Sequence, residues 1–333
     1  MRRLVLTAVI VAVTAGMVAF GLAAYADRLT APDPSGAVAE ADLASVSGEP
    51  RIVFRSTAPG DGYGTVAMVP LADTDGARAF TGVACDRVDA VAQRASCLRT
   101  VRGVLTTFEA DLYDESWQRI RSWPLPGIPS RTRLSDDGTL LTSTSFVTGH
   151  SYAGGAFSTE TVVRALEPGR DDPGDIEQFA LVVDGERVDV ADRNMWGVTF
   201  VGGDEFYATA ASASLGRTWL VRGDFATRTL TAVRTNAECP SISPDRTRVA
   251  YKVDRGGQHW GIAVLDLATG EEVELGESRS VDDQVEWLDD DTVLYGLPRE
   301  DETGVSDVWA LDLAPGATPR ILVPLAWSPS VVR

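Results

Sequence analysis

From Arg51 onward the chain reads as short stretches in which apolar and polar residues alternate at every second position, broken by turn residues. The clearest unit is 239–275, CPSISPDRTRVAYKVDRGGQHWGIAVLDLATGEEVEL. Ser241-Ile242-Ser243 runs into a Pro244-Asp245 turn, and Arg248 to Val253 runs into Asp254-Arg255-Gly256-Gly257. Trp260 to Leu267 follows, then the Thr269-Gly270 turn, and Glu272 to Leu275 closes the unit. Short strands with this punctuation predict a four-stranded antiparallel sheet.

The unit recurs at 283–323, 195–234, 131–183 and 85–125. Its third strand is the steadiest part, as GIAVLDLATG, DVWALDLAPG, TVVRALEPG and TVAMVPLAD. In the 131–183 unit the segment EQFALVV reads as the fourth strand. Residues 51–82 supply second, third and fourth strands without a first, and Leu325 to Ser330 supplies the missing one. A period of about 40 residues with four strands each is that of propeller blades. The expected fold is therefore all-β: a six-bladed propeller of four-stranded antiparallel blades, closed by a C-terminal strand joining the N-terminal blade. Such closure hides the strand edges that an open sheet leaves free, and makes a monomer the default expectation.

SPDRTRVAYKVDRGG followed by IAVLDLATG resembles the repeats of the TolB-type (WD40-like) propellers, in which a Ser-Pro-Asp-Gly turn leads a strand and an Asp-Arg-Gly-Gly turn ends it. As architecture the resemblance covers 51–332 and implies the six-bladed fold. The sequence departs from TolB proper ahead of Arg51, where an apolar segment and a tether stand in place of an N-terminal α/β domain.

Met1-Arg2-Arg3 precedes an uncharged run from Leu4 to Ala26. About 20 apolar residues can span a bilayer, and positive charge on the N-terminal side keeps that end in the cytoplasm. Residues 1–26 are thus expected to form an apolar helix acting as a signal anchor. Ala24-Tyr25-Ala26 also fits a small-x-small cleavage site, so secretion after cleavage following Ala26 is the alternative. Residues 27–50 read as a flexible tether rich in Ala, Ser, Pro, Gly and acids, and 51–333 as the propeller.

The formal net charge of -18 disfavours nucleic acid as a partner. Nearly all basic residues are arginine, Lys252 being the only lysine. Cys85 opens the first strand of its blade and Cys97 lies in the second, so an exported chain is expected to join them in a disulfide. Cys239, at the equivalent position of another blade, is expected to stay free and buried.

Other candidate chemistry is thin. Gly149 to Gly155 resembles the serine elbow of α/β-hydrolases, but Ala153 replaces the second glycine and strand–helix alternation is missing. The segment reads as a glycine-rich loop in the third blade. A triad would need His259, the only histidine besides His150. Two distant histidines without Cys-x-x-Cys exclude the usual zinc patterns. Asp289-Asp290-Asp291 matches the Ser-Pro-Asp turn of other blades, and no phosphate-binding glycine motif is present, so no cofactor is expected. Trp196, Trp260, Trp287, Trp309 and Trp327 fall within predicted strands and read as packing between blades.

The leading expectation is a non-catalytic, extracytoplasmic scaffold that binds a protein of the cell envelope and touches the membrane through the N-terminal helix. The alternative is a channel-centred propeller enzyme of lactonase, lyase or hydrolase type. Enzymes of that kind gather carboxylates around a calcium ion, and Asp86, Asp89, Asp282, Asp283 and Glu286 are the acids placed to converge here.

Overall fold

In the computed structural model, which describes residues 13, 14, 16–21, 38–147 and 158–333, six sheets follow one another around a central channel. The first, innermost strands of blades 2 to 6 are Arg87–Val91, Ile128–Leu134, Arg193–Gly202, Glu238–Ile242 and Glu286–Trp287. Blade 1 begins at its second strand, Arg51–Ser56, and takes its innermost strand from the C-terminus as Ala326–Val332. Arg51 pairs with Val332 and Ser56 with Ala326, so the ring closes between the two ends of the propeller, as the split repeat predicts.

Burial explains the sequence pattern. In blade 5 the second strand (Arg248–Asp254) and the third (Trp260–Asp266) are covered on both faces, whereas the fourth (Glu272–Glu274) is exposed. Middle strands are sandwiched by the neighbouring blades, so the apolar core is divided among the seams between them. One such seam joins Tyr207 and Leu220 of blade 4 to Val249, Tyr251 and Ala263 of blade 5. Near the channel the backbones nearly touch: Gly197, at φ 65°, leaves no room for a Cβ, which would lie 2.7 Å from Cys239 Cα.

The segment EQFALVV does not complete blade 3. That blade's fourth strand is only Gly174–Asp175, and Ala180–Val183 pairs in parallel with the fourth strand of blade 4 (Thr229–Thr235). With Glu186–Val188 it widens blade 4 to a six-stranded sheet. Side-chain packing decides the placement, because Phe179 and Leu181 are buried with Phe206, Phe225 and Leu230 of blade 4. The stacked pair Phe206–Phe225, 4.3 Å between centroids, is the centre of that cluster.

Loops between second and third strands, and the connections between blades, lie on one face of the ring, here the upper face. Turns between first and second and between third and fourth strands lie on the lower face. Tyr63 Oη donates to Gly304 O at 3.1 Å across the upper loops of blades 1 and 6, and Arg246 pairs with Asp136 at 3.3 Å across the lower turns of blades 5 and 3. Asp290, within the acidic Asp289–Asp291 turn, accepts Asp245 N–H on this lower face.

The N-terminal chain arrives at the lower face beside Arg51. Part of the stretch read as tether is structured there: Leu43–Ser47 is a short helix capped by Asp42, with Val46 buried in the seam of blades 1 and 2. Most of the predicted anchor lies outside the described residues. Among those described, 16–21 are helical and no helix is long and apolar enough to cross a membrane. Cys85 and Cys97 form the expected disulfide, Cα–Cα 5.5 Å, tying the entry of blade 2 to its second strand, and Cys239 is free and buried.

Candidate functional site

Among the described residues, the channel and a groove on the upper face both gather polar side chains from neighbouring blades. Alternation along the first strands turns Arg87 and Asp89 of blade 2, and Arg131 and Arg133 of blade 3, toward the channel, where Asp283 and Glu286 of blade 6 meet them. Arg87 Nη1 lies 3.0 Å from Asp283 Oδ1, while Arg133 pairs with Glu286 and reaches Asp89 at 3.6 Å. Asp89 also accepts Leu134 N–H at 2.7 Å and Ser330 Oγ–H at 3.1 Å, and Glu286 accepts Val331 N–H at 3.3 Å. Burial pushes the Asp89 carboxyl up to about 6 against the pull of Arg133, with Glu286 adding to the rise. Burial likewise lowers the Arg87 guanidinium to about 10.

Of the five acids that the sequence placed to converge, Asp89, Asp283 and Glu286 thus meet arginines. Asp86 turns back into its own blade, its Oδ2 accepting both Thr100 N–H and Oγ–H at 2.7 Å. Asp282 accepts a hydrogen bond from Lys252 Nζ at 2.7 Å; burial pushes its carboxyl up, but Lys252 together with Arg131 and Arg87 holds it below the usual range. Among the described residues no cluster of three or more such groups is arranged to hold a metal. The space left between the channel ion pairs is about 20 Å³, room for about one water molecule.

The groove is far larger, about 700 Å³, which is the size of a small-ligand or peptide-segment site. It runs between blades 4 and 5. One wall is the 212–217 hairpin, the other the 254–260 hairpin, and the blade connection Thr235 to Glu238 passes along its floor. Internal bonds stiffen both walls. Asp192 accepts Ser214 N–H at 2.6 Å and Ser212 Oγ–H at 3.0 Å on the blade 4 side. Asn236 exchanges two 3.0 Å bonds with the Asp254 backbone on the other.

Behind the floor, Asn194 Oδ1 accepts Thr159 N–H at 2.8 Å, and Thr159 Oγ donates to Glu177 at 2.7 Å. Burial pushes the Glu177 carboxyl up to about 8, so it is mostly neutral at pH 7. At the inner end, Trp260 Nε1 donates to Glu238 at 3.4 Å, and Lys252 Nζ lies over the Trp260 ring at 4.7 Å. Burial raises the Glu238 carboxyl, with Lys252 opposing. Arg217 and Gln258, exposed on opposite walls, have no side-chain hydrogen bond or ion pair among the described residues.

Sequence reading assigned Trp196 and Trp260 to packing between blades, and both do lie in strands there, yet both also line the groove. The groove itself was missed because its residues come from turns of two repeats. The lone lysine, set beside Glu238 and Trp260, was the available signal. The glycine-rich segment 149–155 and His150 lie outside the described residues, and the strands flanking them are the second and third of blade 3. His259 is exposed, its Nε2 3.1 Å from Ser278 O.

No protein-family model and no curated protein matches the chain. Among solved structures it is similar to TolB from Acinetobacter baumannii, with a TM-score of 0.58 at 16% identity, over 86% of this chain and 67% of that one. It also matches oligogalacturonate lyase from Vibrio parahaemolyticus at a TM-score of 0.47 and 10% identity, over 76% and 73% of the two chains. The second likeness is too weak to carry an argument, and the first speaks to fold alone. The chain is accordingly a TolB-type six-bladed β-propeller in fold, closed by its own C-terminal strand.

Proposed function

We propose that this propeller is a non-catalytic binding module, exported or anchored by its N-terminal segment, which holds a protein of the cell envelope at the groove between blades 4 and 5. The observation that carries this reading is the contrast between the two polar sites. The channel is narrow and most of its charges pair with one another, Arg87 with Asp283 and Arg133 with Glu286 and Asp89. The groove is roomy, stiff-walled and carries Arg217 and Gln258, which have no side-chain partner among the described residues. Rigid walls favour binding, because little conformational entropy remains to be lost on association. The chain enters on the lower face, so a tethered domain directs the groove away from its attachment point.

The test is to cross-link the full-length protein in its native envelope, purify it and identify what accompanies it. A single envelope protein, retained by the parent chain and lost on Trp260→Ala with folding unchanged, is the expected result. Recovery of background alone, together with a turnover abolished by changing Asp89 or Glu286, would replace the binding role by catalysis in the channel.

A further inference from the structure

The groove's polar side chains divide into those spent on the protein itself and those left over. Asn194 and Asn236 have both ends of their amides committed, and Ser212 is held by Asp192. What remains is mostly charged. Glu238 is half-buried and, among the described residues, its carboxylate accepts only the long Trp260 bond; Asp254 is exposed on the neighbouring hairpin, its carboxylate accepting Gly256 N–H at 2.8 Å. Arg217 and Gln258 stand on opposite walls without side-chain partners among the described residues. The nearest cation to Glu238, Lys252, is already bound by Asp282 at 2.7 Å. The groove lining itself therefore carries two carboxylates at this end, Glu238 and Asp254, while the nearby ammonium is committed to Asp282.

A carboxylate beside an indole in a partly dry groove is the arrangement that recognises an organic cation. Deepening the binding role proposed above, we infer that the groove takes a lysine or arginine side chain of the protein partner. That side chain lies against the Trp260 and Trp196 indoles, with Glu238 and Asp254 as its counter-charges. Arg217 on the opposite wall is free for a backbone carbonyl or carboxylate of the same segment, which makes the groove bipolar as a peptide is. A neutral sugar would leave these charges unanswered, and the Asn194 and Asn236 amides that could serve it are already used, leaving Gln258. The chain's net charge of -18 also draws a basic segment in from a distance.

The probes are the acetylated and amidated tripeptides Gly-Lys-Gly, Gly-Arg-Gly, Gly-Gln-Gly and Gly-Glu-Gly, with cellotriose, added to the full chain. Tryptophan fluorescence and calorimetry report binding. The lysine or arginine peptide should saturate at one per chain. Glu238→Gln should weaken it by about tenfold or more, since a partly buried charge pair is broken. Glu115→Gln, the same charge change on an exposed lower-face turn, should leave it unaltered. Equal binding of the glutamine or glutamate peptide, preference for the sugar, equal weakening by both variants, or no saturable binding would each overturn the inference. If an envelope partner still depends on Trp260 while the cationic peptides are ignored, the binding role stands and only its cationic chemistry falls. If neither partner nor peptide binds, both fall.

Discussion

Asp89 and Glu177 are acids whose surroundings resist their ionisation, and both set a pH dependence of stability. Asp89 lies above its ordinary 3.8, at about 6, and Glu177 above 4.5, at about 8. In each case the folded state holds a proton that the unfolded chain has released. Stability is therefore greatest below the ordinary value and falls as pH rises to the folded one. Denaturant titrations should show stability declining between about pH 4 and 6 from Asp89 and continuing toward about pH 8 from Glu177. Asp89→Asn should flatten the first fall, by about 1–3 kcal/mol. Glu177→Gln should raise stability at pH 8 by a similar amount, about 1–3 kcal/mol, with little change at pH 4. A parent protein whose stability rises over that range would contradict both assignments. Asp89, Asp283 and Glu286 were legible in the sequence as converging acids. Their arginine partners were not singled out, because Arg87 and Arg133 meet them only once blades 2, 3 and 6 stand around one channel.

Strand periodicity made most elements readable, and the exceptions are those whose neighbours are chosen by packing. The Cys85–Cys97 bridge could be placed because both cysteines sit near one predicted hairpin, and register then brings Cys97 opposite Val88. It closes a short loop, with a sequence separation of 12, and restricts the unfolded chain. Cys85→Ser with Cys97→Ser should cost about 3 kcal/mol, read as a lower midpoint of unfolding under oxidising conditions, and reductant should lower the parent toward the same value. An unchanged midpoint would mean that the bridge contributes nothing. The fourth strand of blade 3 was misread for a different reason. ALVV is an apolar run that fits the edge of either blade, and only the burial of Phe179 and Leu181 against blade 4 assigns it. The helix Leu43–Ser47 was likewise hidden, since a single buried valine gives no helical periodicity to read.

At the scale of the whole ring, the closing strand and the two faces divide stability from binding. Ala326–Val332 is held from both sides, by Asp89 of blade 2 through Ser330 and by Glu286 of blade 6 through Val331, and Arg133 of blade 3 bridges those two carboxylates. The channel's charge thus serves closure, and the proposed partner site lies apart from it on the upper face. Repeat, blade number and closure were legible because they follow from period and punctuation. A groove between two blades has no period of its own, so the site was not. The most direct measurement of the binding role compares photo-activated cross-linkers placed one at a time at Gln258 and Leu215, on the groove's rim, and at Glu115 and Asp136, on the lower face, in intact cells. The account predicts adducts to one envelope protein from Gln258 and Leu215 alone. Adducts of equal yield from the lower face, or from that face only, would contradict it.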